Sequence, residues 1–123
     1  MTAIEAARAG DSIALAEIIK KGTDLDIVDK NGMTPLMVAA DAKRLDIIKL
    51  LLKASVPLNA QDKWGQTALM IAAGRGDAFS VKLLIAAGAN LQLVANNKLT
   101  ALGYAVENSA REVARLLRQA GAK

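Results

Sequence analysis

The chain has 123 residues, enough to bury a core and few enough for one domain. Its hydrophobic content is 53%, yet it holds one Trp, one Tyr and one Phe, so Ala, Leu, Ile and Val must build that core. Cysteine and histidine are absent, which removes disulfides, thiolate metal sites and the commonest general base, while a net charge of +4 is too modest to indicate nucleic acid.

Along residues 1–28, Thr2 and Glu5 in "TAIE" have the spacing of a capping box, opening a helix that carries Ala6 and Ala7. Gly22 follows an apolar helix end and suits a left-handed C-terminal cap. The opening "MTAIEAARAGD" has no basic segment followed by an apolar stretch, which leans towards the cytoplasm. Nowhere does an apolar run approach the roughly 20 residues of a membrane span.

From residue 29 the pattern sharpens. In "DKNGMTPLMVAAD", Gly32 sits in an Asp-x-x-Gly turn, Thr34 is a helix N-cap, and Pro35 occupies the first helical position, where its missing N–H costs nothing. Met37, Val38, Ala39 and Ala40 make a thin first helix whose alanines let a neighbour come close. The spacing of Ile47, Ile48, Leu51 and Leu52 predicts a second helix, with Asp46, Lys49 and Lys53 outward.

The same unit returns at 62–94 as "DKWGQTALMIAAG", a period of 33 residues with thirteen identities over 33 positions. Gly65 repeats the turn glycine and Gly88 closes the second helix. Over 95–123, Thr100, Leu102 and Ala105 keep the register, as do Leu116 and Leu117, and Gly121 ends the last helix. Ser109 and Glu112 have the spacing of a further capping box. Arg111, Glu112, Arg115 and Arg118 surround Val113, Leu116 and Leu117, a polar outer face of the kind a terminal repeat needs. A fixed period of this length means stacked units, each burying one face against its neighbour. The expected architecture is one all-α domain without a linker, divided into units 1–28, 29–61, 62–94 and 95–123, with the end units as caps.

Asp29–Ala40 carries Asp-x-x-Gly-x-Thr-Pro-Leu-x-x-Ala-Ala intact, and Asp62–Ala73 carries it with Ala68 for proline. Here the chain resembles the ankyrin repeat family, across essentially its whole length. Met37, Met70 and Gly103 stand where the family has a histidine, removing that residue's capping hydrogen bond. Lys98 replaces the turn glycine and Ser55 the glycine that closes the second helix. These departures touch local turns, not the architecture. Thirteen identities in 33 are also fewer than an engineered consensus would show.

The resemblance implies that partners dock on a concave face made of turn tips and first helices. By register that face comprises Lys30, Asn31 and Met33; Lys63, Trp64 and Gln66; Asn97 and Leu99; and, on the helices, Asp41, Arg44 and Arg75. Trp64 is the expected hot spot, because its equivalents Asn31 and Asn97 are polar and it lies beside Lys63 and Arg75 in register. The bland alternative is that its indole folds back onto a neighbouring turn. Met33 and Leu99 would extend an apolar strip on either side.

Lys30, Lys63 and Lys98 form a basic rim, which suits an acidic partner surface or merely keeps the protein soluble. One Trp and a net +4 fall short of the stacking aromatics and dense basic array of a nucleic-acid binder. "AGRGD" at 73–77 ends a helix rather than cradling phosphate, and Asp41, Asp46 and Asp77 read as solvated helix ends. The expectation is a protein-binding module, not an enzyme, with no cofactor and no metal, monomeric without its partner. A stoichiometric inhibitor or immunity-type protein is the alternative, and a polyanion binder stands below it.

Overall fold

The computed structural model describes all 123 residues and contains eight α-helices and no strand. In chain order these are α1 (Ala3–Ala9), α2 (Ser12–Lys20), α3 (Pro35–Asp41), α4 (Leu45–Lys53), α5 (Ala68–Gly74), α6 (Ala78–Ala86), α7 (Ala101–Glu107) and α8 (Arg111–Gln119). Each odd-numbered helix packs antiparallel-hairpin fashion on the helix that follows it, and two rows result: α1, α3, α5 and α7 in one, α2, α4, α6 and α8 in the other.

Small residues set the spacing of the first row. Ala6, Ala7, Ala39, Ala40, Ala72, Ala73 and Ala105 are completely buried, which lets successive first helices approach closely. The second row supplies bulk through Leu15, Ile47, Ile48, Leu51, Val81, Leu84, Val113 and Leu117, all shut off from water. One cluster of 31 buried apolar residues runs from Ala3 to Ala122. Ser80 interrupts the aliphatic pattern at the position of Ile47, but its hydroxyl donates to Asp77 Oδ2 at 2.6 Å, so the buried polar atom is satisfied.

Threonines start the first helices as expected. The backbone N–H groups of Met37, Met70 and Gly103 each donate to the hydroxyl of Thr34, Thr67 and Thr100, at 3.2 Å in every case. Replacing the family's histidine by methionine does not empty the reciprocal position everywhere: the Thr67 N–H reaches Met70 Sδ at 3.5 Å. The Thr2–Glu5 box forms in both directions. A Ser109–Glu112 box does not form. Ser109 adopts a left-handed φ of 57°, Ala110 becomes the N-cap of α8 without a side-chain bond, and Glu112 pairs with Arg115 instead.

Left-handed residues recur with the 33-residue period at three places. Between paired helices they are Gly10, Lys43, Gly76 and Ser109; after the second helices Gly22, Ser55, Gly88 and Gly121; in the tips Gly32, Gly65 and Lys98. Lys98 (φ 74°) and Ser55 (φ 59°) therefore hold the geometry of the glycines they replace, and accept the strain of doing so.

Candidate functional site

The tips are tied to one another through the backbone. Lys63 N–H donates to Asn31 C=O at 2.9 Å, and Asn96 N–H donates to Trp64 C=O at 3.0 Å. Asn96 Nδ2 adds a bond to Lys63 C=O. Inside the second tip, Asp62 Oδ1 accepts from the N–H groups of Trp64 and Gln66, at 3.0 and 2.9 Å. Asp29 does the same for Asn31 and Met33. The last tip has Ala95 at this position, and Asn97 Oδ1 takes over by accepting from Leu99 N–H.

These tips and the first helices enclose an open groove of about 420 Å³. Its lining is Asn31, Met33, Asp62, Trp64 and Gln66 from the tips, and Asp41, Met70, Ile71, Gly74, Arg75, Tyr104 and Asn108 from the helices. Of the residues expected on the partner face, Asn31, Met33, Asp41, Trp64, Gln66 and Arg75 come together here. Lys63 stands beside them, its Nζ 4.5 Å from the centre of the Trp64 ring. Asn97 is joined through the Tyr104 hydroxyl, which donates to its Oδ1 at 3.4 Å and accepts from Gln66 Nε2 at 3.1 Å.

Lys30, Arg44 and Leu99 are not in the lining. Lys30 is exposed on its tip. Arg44 lays its guanidinium against Gly10, so close that a Cβ there would meet Nε at 2.7 Å. Leu99 turns towards Gly103 and does not extend a strip with Trp64. Trp64 is 48% exposed. It lies on the groove with the Lys63 ammonium over its ring face, a cation–π contact.

Asp41 is not a free helix end. Arg75 Nε and Nη2 both donate to its Oδ1, at 3.1 and 2.7 Å, which links α3 to the end of α5. Asp77 is more than a solvated helix end, since its side chain caps α6, and Asp46 is exposed.

Among the lining residues not expected on the partner face are Tyr104 and Asp62. Tyr104 occupies the register position of Val38 and Ile71, and its hydroxyl among aliphatics was the signal. Asp62 was read only as a turn residue. It is just 7% exposed, and its Oδ2 has no hydrogen-bond partner. Its equivalent Asp29 differs: Arg8 Nη2 donates to Oδ2 at 3.2 Å. Burial works against the charged form of Asp29, but the Met33 and Asn31 amides with the Arg8 guanidinium outweigh it, leaving its pKa below the ordinary 3.8.

A second exposed apolar feature lies on the other row. Phe79, at the start of α6, is 68% exposed, with Lys82 Nζ 5.8 Å from its ring centre. Ile13 of α2, also exposed, stands at the equivalent position.

A family model described as ankyrin repeats (3 copies) matches residues 3–91 and 54–123. No curated protein matches the chain.

Proposed function

Because the chain belongs to the ankyrin repeat family, whose members are in general protein-interaction modules, we propose that it binds a protein partner on the groove between its tips and first helices. The observation that carries this reading is the half-exposed Trp64, set in a groove whose walls are hydrogen-bonded to one another. Such a surface loses little conformational freedom on association, so more of the contact energy appears as affinity. The site residues are Asn31, Met33, Asp41, Trp64, Gln66 and Arg75, with Lys63 and Asn97 adjoining. Lys30 and Lys98 at the tips favour acidic flanks on the partner. The repeat register supports units 1–28, 29–61, 62–94 and 95–123 as the division of the domain. Nothing in the groove supplies a nucleophile with an adjacent base, so we read the protein as a binder and not an enzyme.

The exposed Phe79 and Ile13 favour a second reading, in which the partner covers the row of second helices. Affinity capture with intact protein, followed by mass spectrometry, supplies the ligand for calorimetry on variants of both faces. Trp64→Ala should weaken binding by about 2 kcal/mol or more, a factor of roughly 30. Phe79→Ala, Lys20→Ala and Lys53→Ala should change it little. The reverse ranking would move the interface to the second helices. An inhibitor or immunity-type role would show as loss of a captured enzyme's activity at a 1:1 ratio, sensitive to the same Trp64→Ala variant.

A further inference from the structure

The two inter-tip aspartates have unequal surroundings, and the repeat register explains why. Arg8, near the end of α1, donates to Oδ2 of Asp29, in the tip that follows. One period later, Asp62 occupies the place of Asp29, and the place of Arg8 is taken by Asp41. The cation has become a carboxylate. Asp62 is left with Oδ1 engaged by the turn and Oδ2 buried without a partner, in a groove that also holds Asp41.

Arg75 is the one cation in the lining, and both of its bonds fall on Asp41 Oδ1. Among the lining residues two carboxylates face one guanidinium, and the nearby Lys63 ammonium is spent on the indole face rather than on Asp62. Trp64 and Tyr104 bring aromatic rings to the same space, and planar cations stack on such rings. A buried carboxylate oxygen without a donor is costly, and a charged donor returns the most.

We propose that this groove receives an arginine side chain of the protein partner, its guanidinium donating to Asp62 Oδ2 as Arg8 does to Asp29. The proposal rests on the groove being the protein-binding face. Guanidinium suits the site better than ammonium because its fixed fork can bond Asp62 while its flat face lies along a ring. Because Oδ2 is shut off from water, the entering group must displace a lining side chain, and Trp64 and Arg75 are each about half exposed.

The chain has a single Trp, so its indole N–H gives one resonance inside the groove. Titrating the intact protein with N-acetyl-arginine methylamide should shift that resonance saturably. The citrulline analogue, equal in shape but uncharged, should not. Asp62→Asn keeps an oxygen for the turn, as Asn97 does in the last tip, and should weaken the arginine compound about tenfold or more. Asp41→Arg rebuilds the first interface at the second and should block the compound from within, which carries the test even if Asp62→Asn fails to fold. Equal shifts with citrulline, or undiminished binding in folded Asp62→Asn or in Asp41→Arg, would overturn the proposal. If a captured partner needs Trp64 but tolerates both Asp62→Asn and Asp41→Arg, the arginine subsite fails while the binding face stands. If arginine binds but the partner is insensitive to Trp64→Ala, the face assignment fails.

Discussion

Leu51 is completely buried on α4, between helices contributed by neighbouring pairs. Its truncation leaves a void in the core that its neighbours fill only in part. Leu51→Ala should therefore cost about 2–5 kcal/mol, measured by urea denaturation. A loss within error would mean that the inter-helix contact is dispensable. Asp29 makes a different kind of contribution. A carboxylate whose folded pKa lies below its ordinary 3.8 adds stability above that value and loses it as pH falls through the folded pKa. Asp29→Asn should be less stable than the parent at neutral pH, and the gap should narrow in acid below 3.8. A gap independent of pH would assign the loss to the altered turn rather than to charge.

Most of the helices were readable because they carry start and stop signals, although α4 and α8 have no side-chain cap. Thr34 with Pro35 and the glycines after most second helices are local chemistry, and local chemistry survives in one sequence. The Ser109–Glu112 box failed for a reason equally local to the repeat. Register places Ser109 with Gly10, Lys43 and Gly76, at a left-handed position, and the periodic backbone overrode the serine's capping preference. The same logic yields a prediction at this scale. Lys98 and Ser55 hold positive φ where neighbouring repeats use glycine, a conformation costing L-residues about 1–2 kcal/mol. Glycine also loses more freedom on folding, which takes back roughly 0.5–1 kcal/mol. Lys98→Gly and Ser55→Gly should each raise stability by a few tenths to about 1 kcal/mol in thermal melts. Gly65→Ala should do the opposite, since its Cβ would lie 2.9 Å from the backbone nitrogen of Asn96.

At the scale of the whole molecule, the fold was legible because a period multiplies weak signals: a turn, a cap and an apolar helix recur together every 33 residues. The site was legible only in outline. Register placed Trp64, Met33 and Arg75 on one face, but side-chain direction sent Leu99 to Gly103 and Arg44 to Gly10, and no periodicity encodes that. The Asp41–Arg75 pair spans neighbouring repeats at unequal positions, so aligning the repeats conceals it. The distribution of charge then separates two modes of binding. A polyanion binder making 6–10 phosphate contacts loses about 10³–10⁵ in affinity between 50 and 200 mM salt. Here each tip carries a single lysine, Lys30, Lys63 or Lys98, Lys63 is engaged by an indole, and the groove lining holds two carboxylates to one guanidinium. If the proposed groove is the binding face, long-range attraction should steer encounter, while contacts around Trp64 should set the dissociation rate. Over the same salt range, association with the protein partner should weaken by less than about tenfold, mostly in the on-rate, and Lys63→Ala should flatten that dependence. Stopped-flow association at several salt concentrations measures both quantities. A steep loss carried by the off-rate would instead identify a polyanion held by the tip lysines.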